Sequence, residues 1–216
     1  MPPGPRPPAD PAALDPLGTS LPARSLLFRV HPGYFRATGF NPGYGAGGRF
    51  HFLQNRAGAT VPSFYAAESE NAAIAETIFH DVPVRPAGLR VVSFSRKLRD
   101  RALSAVRTRR EIELVQLHDL GLDRLGLRAS EITDTDPSGY PTSRLWAQAL
   151  HRCGATGGLV WMSRRFNSYR AWTLFGDRVS SEDLEAASRP LPLWHGSGLD
   201  LVYELAETAG ITVAHD

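Results

Sequence analysis

Two arginines, a glutamate and a serine occupy positions where their residue types are out of place. Arg29 interrupts the apolar run Ser25-Leu26-Leu27-Phe28-Arg29-Val30, and Arg49 follows the glycine-rich stretch Gly43-Tyr44-Gly45-Ala46-Gly47-Gly48. Glu76 lies in the alanine-rich segment Asn71-Ala72-Ala73-Ile74-Ala75-Glu76-Thr77-Ile78-Phe79, and Ser163 follows Gly158-Leu159-Val160-Trp161-Met162. A guanidinium does not shed its charge, so a half-buried arginine needs an anionic partner. A ligand phosphate would serve, and so would a carboxylate. Glu76 has the converse need, because a carboxylate among apolar neighbours is costly unless paired or protonated. On residue types alone, a structural pair of Glu76 with His80 or with an arginine is the plainer account. Ser163 at a strand end is by itself more often a turn former than a functional group. No Gly-x-Ser-x-Gly elbow surrounds it, which argues against a hydrolase nucleophile.

The elements that must position these groups read as α+β. Strands are expected near 26–30, 49–53, 62–66, 89–95, 111–117, 158–163 and 171–175, from short apolar or alternating runs. On the first of these, Leu26, Phe28 and Val30 share one face, and Arg29 points with Leu27 to the other. Helices are expected over 69–80, 120–127, 142–152 and 199–208, the last followed by Ile211-Thr212-Val213. Ser69 is the candidate N-cap of the first helix, with Glu70 favourable in its first turn. Ala72, Glu76 and Phe79 then fall on one stripe at i, i+4 and i+7. The charged run from Arg107 to Glu111 reads as a solvated strand end or turn, and 134–139 as a loop. Strands crowd the middle of the chain without regular helix alternation. The expected architecture is one α+β domain, a central mixed or antiparallel sheet with flanking helices.

Composition bounds the rest. At 216 residues, with 42% hydrophobic and 21% charged, the chain has the make-up of an ordinary globular domain. Residues 1–20, rich in Pro and Ala, read as a disordered extension, and 21–216 as the domain. The start lacks the basic and apolar regions of a signal peptide, and no apolar run is long enough to cross a bilayer. The single cysteine, Cys153, excludes an internal disulfide and is compatible with a reducing, cytoplasmic setting. A net charge of +2 gives no case for nucleic-acid binding. The seven histidines show no metal-ligand spacing, so no metal is expected. The Gly43–Gly48 stretch lacks the Gly-Lys-Ser/Thr ending of a phosphate-binding P-loop; its glycines permit a sharp loop or a close backbone approach to a ligand.

The order of these pieces resembles the RES domain family, named for its arginine, glutamate and serine. The resemblance runs from about Leu26 to Phe175. It rests on Phe28-Arg29-Val30, Gly48-Arg49-Phe50, Tyr65-Ala66-Ala67 leading to Ala72-Ala73-x-x-Glu76, and Ser163-Arg164, with Leu125-Gly126-Leu127 between. It implies an ADP-ribosyltransferase-like fold and a cleft that binds NAD+ as substrate. It also implies a toxin that degrades NAD+ with inorganic phosphate or water as acceptor, without a metal. The implied partner is a helix-turn-helix antitoxin of the Xre type that covers the cleft, with the toxin a homodimer in the complex. The roles implied are Glu76 beside the ribose cation, Arg29 and Arg49 on phosphates, Tyr65 on the nicotinamide ring or a ribose hydroxyl, and Ser163 orienting ribose or phosphate. Two positions depart from the family pattern: His51 stands where many members carry asparagine, and Val30 where some carry tyrosine. Transfer of ADP-ribose to a protein, or a non-catalytic NAD-binding subunit, are the alternative readings.

Overall fold

The computed structural model describes residues 4–83 and 88–215. The first half contributes β1 (Gly18–Leu21), β2 (Leu26–Pro32), β3 (Leu53–Gln54), β4 (Thr60–Val61), β5 (Ser63–Ala67) and helix α1 (Glu70–Thr77). The middle adds β6 (Val91–Ser93), α2 (Phe94–Lys97), β7 (Arg101–Thr108), β8 (Ile112–Gln116), α3 (Leu120–Arg124) and α4 (Ala129–Ile132). Helix α5 (Tyr140–Cys153), β9 (Gly158–Met162), β10 (Arg170–Phe175), β11 (Leu184–Ala186), β12 (Leu191–Pro192), α6 (Gly196–Thr208) and β13 (Thr212–Ala214) complete it.

One large sheet runs β1-β8-β9-β10-β5-β2-β7-β11, with β12 also on β7. Only the β8–β9 pairing in it is parallel. The sheet is therefore mixed, as expected. Its two faces carry separate apolar clusters: Val30, Ala72, Ile74, Trp161 and Val202 belong to one, Leu27, Phe64, Val106 and Leu174 to the other. The alternation along β2 thus places Leu27 and Val30 on opposite faces.

One irregularity in the sheet matters for function. β2 and β5 are registered at a single pair, Phe28 with Ala67. Beyond it, residues 29–32 of β2 and 63–66 of β5 lie on diverging strands, and both line a cavity of about 600 Å³. The split leaves side chains and backbone of two central strands facing a gap instead of each other. Helix α1 closes one wall. Ser69 Oγ accepts from the Ala72 N–H at 3.1 Å and caps it, and Ala72, Ala73, Ile74 and Ala75 are all buried. Small side chains let the helix lie close to the sheet, which brings Glu76 in its last turn to the cavity.

Three expectations are corrected. Residues 49–53 are not a strand; only Leu53 and Gln54 pair, with β4. The backbone there is satisfied by side chains: Phe50 N–H donates to the Tyr65 hydroxyl, Gly48 N–H to His51 Nε2, and Gly48 C=O accepts from Arg144 Nε. The described part of the N-terminal extension is not free. A short 3-10 turn, Pro11–Ala13, packs by α5, the Pro5 carbonyl accepts from Trp146 Nε1 at 2.7 Å, and β1 pairs with β8. Trp146, buried in the core cluster on the α1 side of the sheet, takes the partner for its indole N–H from this segment. Finally, β7 was not foreseen, although it pairs with β2 along seven residues and carries the edge strands β11 and β12.

Candidate active site

Arg29 sits on β2 opposite Ser104 of β7 and is 7% exposed. One guanidinium nitrogen donates to the carbonyls of Ala37 (3.0 Å) and Gly39 (2.6 Å), and the group lies 4.1 Å over the Phe64 ring. No carboxylate pairs with it among the described residues, and its Nε has no partner there. Burial pulls this guanidinium down to about 9, which still leaves it charged at neutral pH. Next to it, His31 bridges the Pro32 carbonyl and the Ser104 hydroxyl, each at 2.9 Å. Burial, then the charge of Arg29, lowers His31 to about 4, so the ring is neutral.

Arg49 and Glu76 form the second cluster. Arg49 is 5% exposed; it lies 3.6 Å from Glu76 Oε2, donates to the Thr135 carbonyl at 3.3 Å, and stands over the Tyr140 ring. Glu76 Oε1 accepts from Ser163 Oγ at 2.8 Å and from the Arg164 N–H at 2.9 Å. Its side chain is only 12% exposed, yet Glu76 lines the cavity with Arg29, Arg49, Tyr65 and Tyr140. A carboxylate gripped from behind by two donors, with its other oxygen toward a guanidinium, is fixed in place in a sheltered setting. His80 turns instead to Asp81, at 2.9 Å, and its hydrogen bond holds that carboxyl well below the usual range.

The walls also carry buried donors without protein partners among the described residues: Arg29 Nε, Arg49 Nε and Trp161 Nε1. Orphaned buried donors are uncommon in folded proteins and invite an acceptor-rich ligand. A volume of about 600 Å³ is in the range of small-molecule and cofactor sites.

Residues 26–194 match the RES domain family. The chain belongs to the RES domain family. In fold it is similar to a chain of the M. tuberculosis MbcT–MbcA toxin–antitoxin complex, with a TM-score of 0.60 at 14% identity, over 87% of this chain and 92% of that one. No curated protein matches it in sequence.

This RES domain brings Arg29, Arg49, Tyr65 and Glu76 to one cavity, whereas Ser163 is set behind it. Ser163 is fully buried, lies off the cavity wall, and reaches the site only through Glu76. Tyr65 presents its ring at the wall while its hydroxyl accepts from the Phe50 N–H at 3.1 Å; burial raises that hydroxyl above its ordinary range. His51 stands edge-on to Tyr65, and burial lowers it to about 4. Its Nε2 accepts from Gly48 N–H at 3.0 Å, which assigns the proton to Nδ1. A Cβ at Gly48 would lie 2.8 Å from the His51 ring, so any larger residue there would force the ring to shift.

Sequence reasoning missed Tyr140 and Thr135, and gave Arg164 no role beyond its place beside Ser163. Arg164 pairs with Asp134 at 2.9 Å and donates to the Thr135 carbonyl, tying the 134–139 loop to the site. The signal for Tyr140 was its place just after that loop, at the start of a strongly amphipathic helix. Among the described residues, no group of three His, Cys, Asp or Glu side chains could hold a metal ion, and no helix is long and apolar enough to cross a membrane.

Proposed function

We propose that this RES domain breaks the N-glycosidic bond between nicotinamide and ribose in NAD+, and that it is the toxin of a toxin–antitoxin pair. The observation that carries the reading is Glu76: a carboxyl group held by Ser163 Oγ and the Arg164 N–H, on the wall of a cavity with two buried arginines. As the C–N bond breaks, its electron pair leaves with nicotinamide, which becomes neutral, and positive charge develops on the ribose C1″ and ring oxygen. A fixed carboxylate beside that cation lowers the barrier electrostatically, as in glycoside cleavage. Inorganic phosphate or water then adds an oxygen to C1″ and, for water, loses a proton. Arg29, without a carboxylate partner among the described residues, and Arg49 would hold the pyrophosphate or an incoming phosphate through charge-assisted bonds. Tyr65 offers its ring for stacking on nicotinamide. Ser163 and the Arg164 N–H act on the carboxylate and not on the substrate.

The partner proposed is an Xre-type helix-turn-helix antitoxin that covers the mouth of the cavity, with this chain a homodimer in a cytoplasmic complex. The structural neighbour, solved as a toxin–antitoxin complex, supports an antitoxin of some kind. Purified protein incubated with NAD+, with and without inorganic phosphate, tests the chemistry. ADP-ribose 1″-phosphate with free nicotinamide is expected in phosphate, and ADP-ribose without it. Labelled protein would instead indicate transfer, and absence of nicotinamide release would overturn the catalytic reading.

A further inference from the structure

Large aromatic side chains are seldom left in water in a group without a use. Here Tyr34 is 77% exposed, Tyr44 67% and Phe35 37%, and all three line the mouth of the cavity. Tyr34 and Phe35 have ring centroids 4.8 Å apart, and Phe35 and Tyr44 are nearly parallel at 6.3 Å. The rings therefore form one cluster, with flat faces open to solvent.

The loop that displays them is built, not slack. Asn41 Oδ1 accepts from the backbone N–H groups of Gly43 (3.0 Å) and Tyr44 (2.7 Å), and its amide donates to the Tyr44 carbonyl at 3.0 Å. Gly43 and Gly45, on either side of Tyr44, take φ of 132° and 94°, a region that L side chains rarely adopt. Arg29 donates to the carbonyls of Ala37 and Gly39 in the same loop. The aromatic cluster and Arg29 are thus one mechanical unit, on the β2 side of the cavity, while Glu76 belongs to the α1 side. A ligand with a phosphate on Arg29 and a ribose at Glu76 would have its other half lying toward these rings.

We infer that Tyr34, Phe35 and Tyr44 form a stacking platform for the purine base of the adenylate half of the dinucleotide. This rests on the NAD+ reading for the direction in which the ligand lies. It requires no new hydrogen bonds: a flat base gains from stacking on aromatic faces, typically ~1–3 kcal/mol per base. The platform supplies ground-state binding far from the bond that breaks, so it sets KM more than kcat.

The test uses the intact chain and two ligands that separate the halves. AMP carries the base without nicotinamide; nicotinamide mononucleotide carries the scissile bond without the base. In the double variant Tyr34→Ala/Tyr44→Ala, AMP binding by calorimetry is expected to weaken about 5- to 150-fold. The ratio of kcat/KM for NAD+ over that for nicotinamide mononucleotide should fall by the same factor. Tyr34→Trp/Tyr44→Trp should restore both, because any flat aromatic serves. Equal AMP affinity in wild type and the alanine variant, or no AMP binding by wild type, overturns the platform and leaves the rings to a protein partner. AMP binding that depends on the tyrosines, without nicotinamide release from NAD+, would instead overturn the catalytic reading alone.

Discussion

Ser163 Oγ donates to Glu76 Oε1 at 2.8 Å from the side of the carboxylate turned away from the cavity. The serine is fully buried, so it has no path to a ligand except through the glutamate. That relationship separates two roles that residue types alone could not. If Ser163 positions Glu76, Ser163→Ala should lower kcat about 10- to 100-fold, the scale of a hydrogen bond to a charged group, with KM little changed. Ser163→Thr should recover part of the loss, and Glu76→Gln should cost at least about 100-fold. A KM effect as large as the kcat effect in Ser163→Ala would place the serine on the substrate instead.

Arg29 supports the loop and offers charge at the same time. Arg29→Lys keeps the charge but cannot reproduce a planar group that bonds two carbonyls while lying over Phe64. Unfolding by urea should show a loss of about 1–3 kcal/mol, since the carbonyls of Ala37 and Gly39 lose their donor. Affinity for NAD+ should fall by at least about tenfold in the same variant. Wild-type stability in Arg29→Lys would show that the loop does not depend on the arginine.

Stability should depend on pH through His51. Burial lowers this imidazole to about 4, against about 6.5 for a free histidine. Between those values the unfolded chain takes up a proton that the folded one refuses. Its contribution is therefore complete above about pH 6.5 and declines as pH falls toward 4. His31, also at about 4, acts in the same direction. Asparagine at 51 can accept from Gly48 N–H without titrating. Urea unfolding of wild type at pH 7.5 and pH 5 should differ by on the order of 4 kcal/mol, half from each histidine, and His51→Asn should narrow the gap by about half. An unchanged gap would mean that the ring is not buried.

The N-terminal segment covers α5, so removing residues 1–16 should expose an indole. Trp146 is 3% exposed and donates to Pro5. Deletion should shift tryptophan emission to longer wavelength and cost roughly 1–3 kcal/mol. Identical emission from the full and shortened chains would restore the reading of that segment as a free extension.

These cases show what could be read before folding. Arg29 was legible because a permanent charge inside an apolar run has few tolerable surroundings, and Glu76 because alanines on its stripe announce close packing. The misreadings share a cause, which is satisfaction from a distance. Phe50 looked like part of a strand, but its N–H is taken by a tyrosine hydroxyl 15 residues away. Pro5 looked unattached, but its partner is 141 residues on. β7 was hidden because Ala102, Ser104 and Ala105 are small and Arg101 and Arg107 flank them, so no alternation stands out. Its burial comes from its neighbours in the sheet rather than from its own hydrophobicity. The depth of Ser163 was illegible for the same reason: only the folded sheet says which side of Glu76 it occupies.

The grip on Glu76 has a consequence for biosynthesis. Its two donors, Ser163 and Arg164, are translated some way behind it, and β5 meets its partner β10 only when Ala171–Phe175 has been made. A nascent polypeptide on the ribosome therefore holds Arg29, Arg49 and Glu76 with the carboxylate still unanchored. For an enzyme proposed to consume a dinucleotide its host cannot spare, this timetable keeps the growing chain inert until translation has passed most of its length.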